Sequence, residues 1–286
     1  MADLSARGVW RVGAAWGLAC WAGLSAGAAM AAEPLAPHRA IYDLGLSDVA
    51  PSTSLVAASG RLVFELTGSV CEGFTVDFRN VTRVTDREGT RRVTDLRSTT
   101  LETIAPPTLS FQHQTYVDDE LASEIDGMAS ARAGGTSVEI TVPKGTQVGL
   151  GRAIFPTAHT RLIIEAALAG ETILEAPVYD GGDEADVVYE TATVIGPGGT
   201  DLPRASDAER EVLMAIPGVA EMTAWRLVVS YFQGGAAEGE RVPEYELTFM
   251  LLENGVSYDV TFNYGAFSLA GQLTALEVSP APPCDG

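Results

Sequence analysis

YELTFMLLENGVSYDVTFNY, residues 245–264, holds two apolar-rich runs joined at Asn254-Gly255. Asn-Gly is the preferred pair for a two-residue type I′ turn, whose central positions both need φ > 0. Such a turn pairs residues placed symmetrically about it. Leu251 then faces Tyr258, Phe249 faces Val260, Leu247 faces Phe262 and Tyr245 faces Tyr264. The alternate pairs are Leu252/Ser257, Met250/Asp259, Thr248/Thr261 and Glu246/Asn263. The first set is wholly apolar and the second mostly polar, as two strands with one buried side require. A chance register would mix them. The stretch predicts an antiparallel hairpin.

Similar signals run through the chain. RLVFEL (61–66), FTVDFRNVTRV (74–84), LSFQHQTYV (109–117), SVEITV (137–142) and VVYETATVI (187–195) are rich in β-branched or aromatic residues. Two helices interrupt them. SDAEREVLMAI (206–216) opens with Ser206 and Glu209 at capping-box spacing, and Pro217-Gly218 stops it. TAHTRLIIEAALAG (157–170) follows Pro156, with Thr157 as its expected N-cap and Leu162, Ile163, Ala166 and Ala167 as an apolar stripe. No period of about 20–50 residues repeats, which argues against a propeller or solenoid.

The first 31 residues read as an export signal. Arg7 and Arg11 precede an Ala/Gly/Trp-rich apolar run, and Ala29-Met30-Ala31 has the small-x-small form of a cleavage site. A retained anchor and lipidation at Cys20 are the alternatives. The Ala and Gly content makes a weak anchor, and the apolar run continues past Cys20 where a lipoprotein would turn polar. Residues 1–31 are thus expected as a signal peptide and 32–286 as a single domain. With Cys20 removed, Cys71 and Cys284 remain, an even pair in an exported chain. Oxidising compartments let such pairs persist as disulfides; two free buried thiols are the alternative. A bridge would close nearly the whole mature chain and stabilise by up to roughly 5 kcal/mol in the chain-entropy model.

Charge and motifs exclude more than they name. The chain carries 18 Lys+Arg against 38 Asp+Glu, and such a surface repels nucleic acid and anionic headgroups. No G-x-S-x-G, P-loop, H-E-x-x-H or C-x-x-C occurs. GGTSV and NGVSY place Ser137 and Ser257 after Gly-x but lack the second glycine of a nucleophile elbow. His38, His113 and His159 are the only histidines; ordinary hydrogen-bonding roles outweigh a serine triad for each. YDGGDEAD (179–186) gathers Asp180, Asp183, Glu184 and Asp186, offering calcium-type oxygens without EF-hand spacing; an acidic turn is the simpler reading. Phe64, Phe74, Phe78, Phe111, Tyr245, Phe249, Tyr258 and Phe262 fall on inward strand positions. They serve a core, or line a cavity for an apolar ligand. No cofactor or metal and no catalytic residue is assigned.

PHRAIYDLGL (37–46), ASGRLVFELTGSVCEGF (58–74), RVTDLRSTT (92–100), FPTAHTRLIIEAALAG (155–170), VYDGGDEADVVYETATVIG (178–196), VSYF (229–232) and LLENGVSYDVTFNYGAFSLAGQLTALE (251–277) together resemble the EipB family of bacterial cell-envelope integrity proteins. The likeness runs in order over nearly the whole mature chain. It implies a mainly β fold, a single antiparallel β-spiral wound into an incompletely closed, barrel-like oval ring with about two helices. It also implies the Cys71–Cys284 disulfide, a place in the Gram-negative periplasm, a periplasmic tetratricopeptide-repeat partner and no enzymatic activity. The expected function is support of the envelope through protein contacts. A carrier of a lipid or peptidoglycan fragment is the rival, and a hydrolase built around His159 a distant third. Where the family usually has Asp-Gly, this chain reads IAPPTLSFQH (104–113), which leaves its turn open. Gly182 stands where the family often has Ser.

Overall fold

Fourteen strands form one sheet in the computed structural model, which describes residues 35–143, 145–182, 186–234 and 241–284. Eight strands make the first wing: β1 (His38–Val49), β2 (Leu55–Ser69), β3 (Gly73–Asp86), β4 (Arg91–Ile104), β5 (Pro107–Val117), β6 (Glu120–Arg132), β7 (Gly135–Val142) and β8 (Thr146–Leu150). Six make the second: β9 (Ile173–Val178), β10 (Tyr189–Ile195), β11 (Ala224–Gln233), β12 (Tyr245–Leu252), β13 (Ser257–Asn263) and β14 (Phe267–Val278). Within each wing every strand pairs antiparallel with the next, across short turns throughout the first wing and across some longer connections in the second, one of which carries a helix between β10 and β11. One long-range seam joins the wings. There β1 pairs with β14 from His38↔Val278 to Val49↔Phe267.

The sheet curls without closing. Past β8, Ile154 makes a single parallel bridge to Val178 at the end of β9: its N–H donates to Pro177 O and its carbonyl accepts from Tyr179, each at 2.9 Å. The Tyr179 ring then meets Phe111 of β5 edge-on at 6.0 Å. Helix α1 (Pro156–Leu168) lies between β8 and β9 in sequence, and α2 (Asp207–Leu213) between β10 and β11.

Alternation along the strands makes the core. On β1, Ala40, Tyr42 and Leu44 are buried while Asp43 is exposed. Fully burying a side chain the size of Leu44 contributes about 1.5–3 kcal/mol. Three clusters result. The first packs α2 and the residues after it (Leu213, Ile216, Val219) against β1, β12, β13 and β14. The second packs Ile163, Ile164, Ala166 and Ala167 of α1 against Leu66, Phe74, Trp225, Leu227 and Leu251. The third gathers Leu109, Phe111, Ile125 and Val138 with Phe155 and Tyr179 near the open ends. The buried face of α1 is rotated from the expected stripe: Ile164 is buried and Leu162 only half-buried.

The hairpin at 245–264 forms, with two corrections. Far from the turn, Glu246↔Asn263, Leu247↔Phe262 and Thr248↔Thr261 hold the expected register. A bulge follows, and nearer the turn the pairs are Met250↔Tyr258 and Leu251↔Ser257, not Leu251/Tyr258 and Leu252/Ser257. Asp259, at φ 50°, falls at this irregularity. The alternation rule loses its force here because Met250 and Leu252 are buried in the first cluster while Leu251 is buried in the second. The turn is not type I′. Gly255 N–H donates to Leu252 O at 2.9 Å, and of the two residues only Gly255 has positive φ, at 89°. This is the three-residue loop in which a left-handed glycine ends the turn.

A side chain at Gly255 would also strike Leu35, whose Cδ2 lies 2.7 Å from the Cβ position. Gly255→Val is therefore expected to cost about 2–4 kcal/mol, combining backbone strain with overpacking. Denaturant unfolding of the variant gives the value, and an unchanged midpoint would remove the turn from the stability argument.

The IAPPT segment closes β4 to β5 through Ala105-Pro106, whose peptide bond is cis, between the paired residues Ile104 and Pro107. Cis-Pro at the third turn position defines a type VI turn.

Candidate functional site

Three constructions hold chain-remote polar groups together. The first lies at the seam. Cys71 sits in the turn between β2 and β3, and Cys284 in the tail after β14; the two are disulfide-bonded, 213 residues apart, with Cα atoms 5.7 Å from each other. Strand order there is β3-β2-β1-β14, so the bridge spans β1 and ties its two flanking strands. Ser279 N–H donates to Pro37 O at 2.9 Å and keeps the tail beside the start of β1.

The second is the seat of α1. Thr157 is not the N-cap; Phe155 is, and it makes no side-chain cap bond. A carboxylate from another element does that work. Glu102 of β4, only 2% exposed, accepts the N–H of Thr157 at 2.7 Å and of Ala158 at 2.9 Å. The first N–H groups of a helix lack internal partners and favour an anion, which accounts for a carboxylate buried there. Burial pushes the Glu102 carboxyl up from its ordinary value, opposed by the Thr157 and Ala158 donors and by Arg161.

His159 lies one turn further along. Its Nε2 is 3.2 Å from Thr191 Oγ1, and that hydroxyl donates to Ala176 O at 2.8 Å. The hydroxyl's single proton is thereby used, so the network assigns the imidazole proton to Nε2, donating to Thr191. Burial pushes the His159 pKa down to about 4. A group depressed below its ordinary 6.5 contributes stability above that value and loses it as pH falls toward 4. Between pH 7 and pH 4.5 the loss is expected to be about 2–3 kcal/mol. Burial pushes His38 in the same direction. Urea titrations of wild type and His159→Gln across this range isolate the term; equal slopes would show that His159 does not carry it.

The third is the seat of α2. Ser206 and Glu209 form the capping box read from the sequence. Glu209, 4% exposed, does more: its Oε1 accepts Asp259 N–H at 3.1 Å and Leu273 N–H at 3.2 Å. β13 pairs with β14 only over Val260–Asn263 and Ser268–Gly271, and the carboxylate fills the split beyond. Tyr42 reaches into the same split from β1, donating to Ser257 O at 2.8 Å. Burial pushes its hydroxyl up to about 12, with Glu209's charge adding to the shift. Tyr258 OH donates to Pro203 O at 2.9 Å and pins the approach to α2.

The other residues singled out are dispersed. His38 Nδ1 lies 2.7 Å from Ala36 O, and its ring is 5.3 Å from Phe64. His113 lies on β5, its ring 6.1 Å from Phe111. Ser137 is on β7, and Ser257 Oγ is 3.2 Å from Tyr42 OH. No triad is assembled from these positions. In the acidic loop, Asp180 Oδ1 accepts Gly182 N–H at 2.9 Å; residues 183–185 lie outside the described ones. Among the described residues no group of His, Cys, Asp or Glu is arranged to hold a metal. Phe74, Phe111 and Tyr258 are fully used in core packing, while Phe64, Phe78, Phe249 and Phe262 are half-buried against the same clusters. Tyr245 instead stacks on Tyr231 at 4.4 Å, with Tyr189 edge-on to both at 6.0 Å.

The pattern defines a class: an unclosed antiparallel ring, stapled at its seam, whose buried carboxylates Glu102 and Glu209 seat helices and bridge strands. Among the described residues no helix is long and apolar enough to cross a membrane. Comparison with known proteins agrees with this class. A crystal structure of a β-barrel-like protein of a domain of unknown function from Brucella abortus superposes with a TM-score of 0.78 at 35% identity, covering 87% of this chain and 100% of that one. The chain is also 36% identical over 260 residues, 90% of each sequence, to the cell envelope integrity protein EipB of Brucella abortus. The EipB-like family model matches residues 29–280. The chain belongs to the EipB-like family.

Glu102, the strand-bridging role of Glu209, and Tyr42 escaped the sequence reading. Only the Ser206/Glu209 spacing gave a local signal, since the other partners lie 50 or more residues away.

Proposed function

We propose that this protein is a non-enzymatic periplasmic component that supports cell-envelope integrity through protein contacts, a tetratricopeptide-repeat protein of the periplasm among its partners. The observation that carries the reading is the 36% identity over 90% of both chains to a protein named for envelope integrity. The geometry supports the non-enzymatic part: His159 is tied to Thr191, and the most deeply buried carboxylates are occupied by backbone N–H groups. The test is complementation. Expressed in Brucella abortus deleted for its EipB, this chain is expected to restore growth under detergent stress. Failure at normal abundance and export would sink the assignment. Native mass spectrometry of the purified protein tests the carrier alternative in parallel: a co-purifying apolar mass would replace the contact reading with transport.

A further inference from the structure

β14 extends to Val278, but β13 covers one flank only as far as Gly271. Beyond that point the flank has no strand. Hydrogen-bond alternation tells which groups it presents. Ser279 N–H donates to Pro37 O, so residues 277 and 275, in register with Arg39 and Ile41, also turn their backbone groups to β1. Leu276 and Val278, opposite Ala40 and His38, turn theirs away. Leu273 turns away too, and Glu209 takes its N–H. The next two outward donors, on Leu276 and Val278, meet no partner among the described residues. Facing Leu276, with Val278 just past the end of the groove, Ala208, Glu211, Val212 and Ala215 form the far wall of a groove of about 620 Å³ whose near wall is β14 from Gln272 to Glu277.

We propose that this groove docks an extended, basic segment of a partner protein, which adds to the open flank of β14 as a further strand. Strand addition supplies the acceptors that Leu276 and Val278 lack, while alternate side chains of the guest meet the small apolar wall of α2. Charge selects the guest. Glu211 and Glu277 are exposed at the groove and make no ion pair among the described residues. A second copy would set these carboxylates against their own kind on a chain of net charge −20, so self-pairing is disfavoured and a basic guest favoured. Exposed sheet edges are ordinarily blocked by lysine, proline or a covering element. Residues 272–278, QLTALEV, contain neither lysine nor proline. The proposal rests on the protein-contact reading above, but its test does not use envelope rescue, so either can fail alone.

The probe is the peptide acetyl-Arg-Val-Arg-Val-Arg-Val-amide, compared with the same peptide carrying Glu for Arg, added to the mature, disulfide-bonded protein. Hydrogen exchange resolved by residue is expected to slow about tenfold or more at Leu276 and Val278 with the Arg peptide only. Glu211→Lys with Glu277→Lys is expected to weaken the Arg peptide about tenfold and admit the Glu peptide. Val278→Pro removes an N–H that β1 does not use. It is expected to abolish protection at Leu276 while the melting temperature holds. Equal binding of both peptides, protection confined to β8 or β9, or no binding by the wild type would overturn the proposal. So would a dimer that already protects Leu276 and Val278 without peptide.

Discussion

Glu209→Ala is expected to destabilise the protein by about 3–5 kcal/mol, measured by denaturant unfolding at neutral pH. The carboxylate accepts four bonds, from Ser206 N–H and Oγ and from the N–H groups of Asp259 and Leu273, all between 3.1 and 3.2 Å. Truncation leaves two strand donors without an acceptor, Leu273 N–H buried and Asp259 N–H partly so, the buried one costing about 1–3 kcal/mol and the other less. The capping box goes as well, at about 1 kcal/mol. Glu209→Gln keeps one acceptor oxygen and is expected to cost clearly less. If both variants lose the same amount, charge and not geometry is the contribution; if neither loses any, β13 and β14 zip together without the wedge.

The second large effect is at the staple. Cys71→Ser, or reduction of the wild type, is expected to cost about 2–4 kcal/mol, because the bridge closes a loop of 213 residues and constrains the unfolded chain. No core side chain is lost, so the β-type circular dichroism stays while the melting temperature falls. The weakening should be local too. Hydrogen exchange ought to rise first in β1 and β14, since the bridge ties the two strands flanking β1. Alkylation of both Cys71 and Cys284 in unreduced, denatured protein would contradict the bridge. In cells, a loss of even about 1–2 kcal/mol lowers abundance.

How far the sequence was legible follows from the range of each interaction. The 245–264 hairpin shows itself because its partners are neighbours; even so, burial of Met250, Leu251 and Leu252 in two clusters erased the alternation near the turn. The capping box at Ser206 was equally local. The N-terminus of α1 was misread because its cap, Glu102, is supplied from a strand 55 residues earlier, which no local pattern reveals. The seam has the same character: nothing around His38 announces Val278 as its partner. Family resemblance conveyed the spiral as a whole, whereas local periodicity gave its pieces.

The most direct test of a contact role, as opposed to a catalytic one, uses the complemented Brucella abortus strain. Detergent resistance is measured against protein abundance for wild type, Cys71→Ser and His159→Gln. All three are expected to fall on one curve, with His159→Gln fully resistant wherever its abundance matches wild type. Loss of resistance by His159→Gln at undiminished abundance would show that the imidazole performs chemistry, and would contradict a purely structural role.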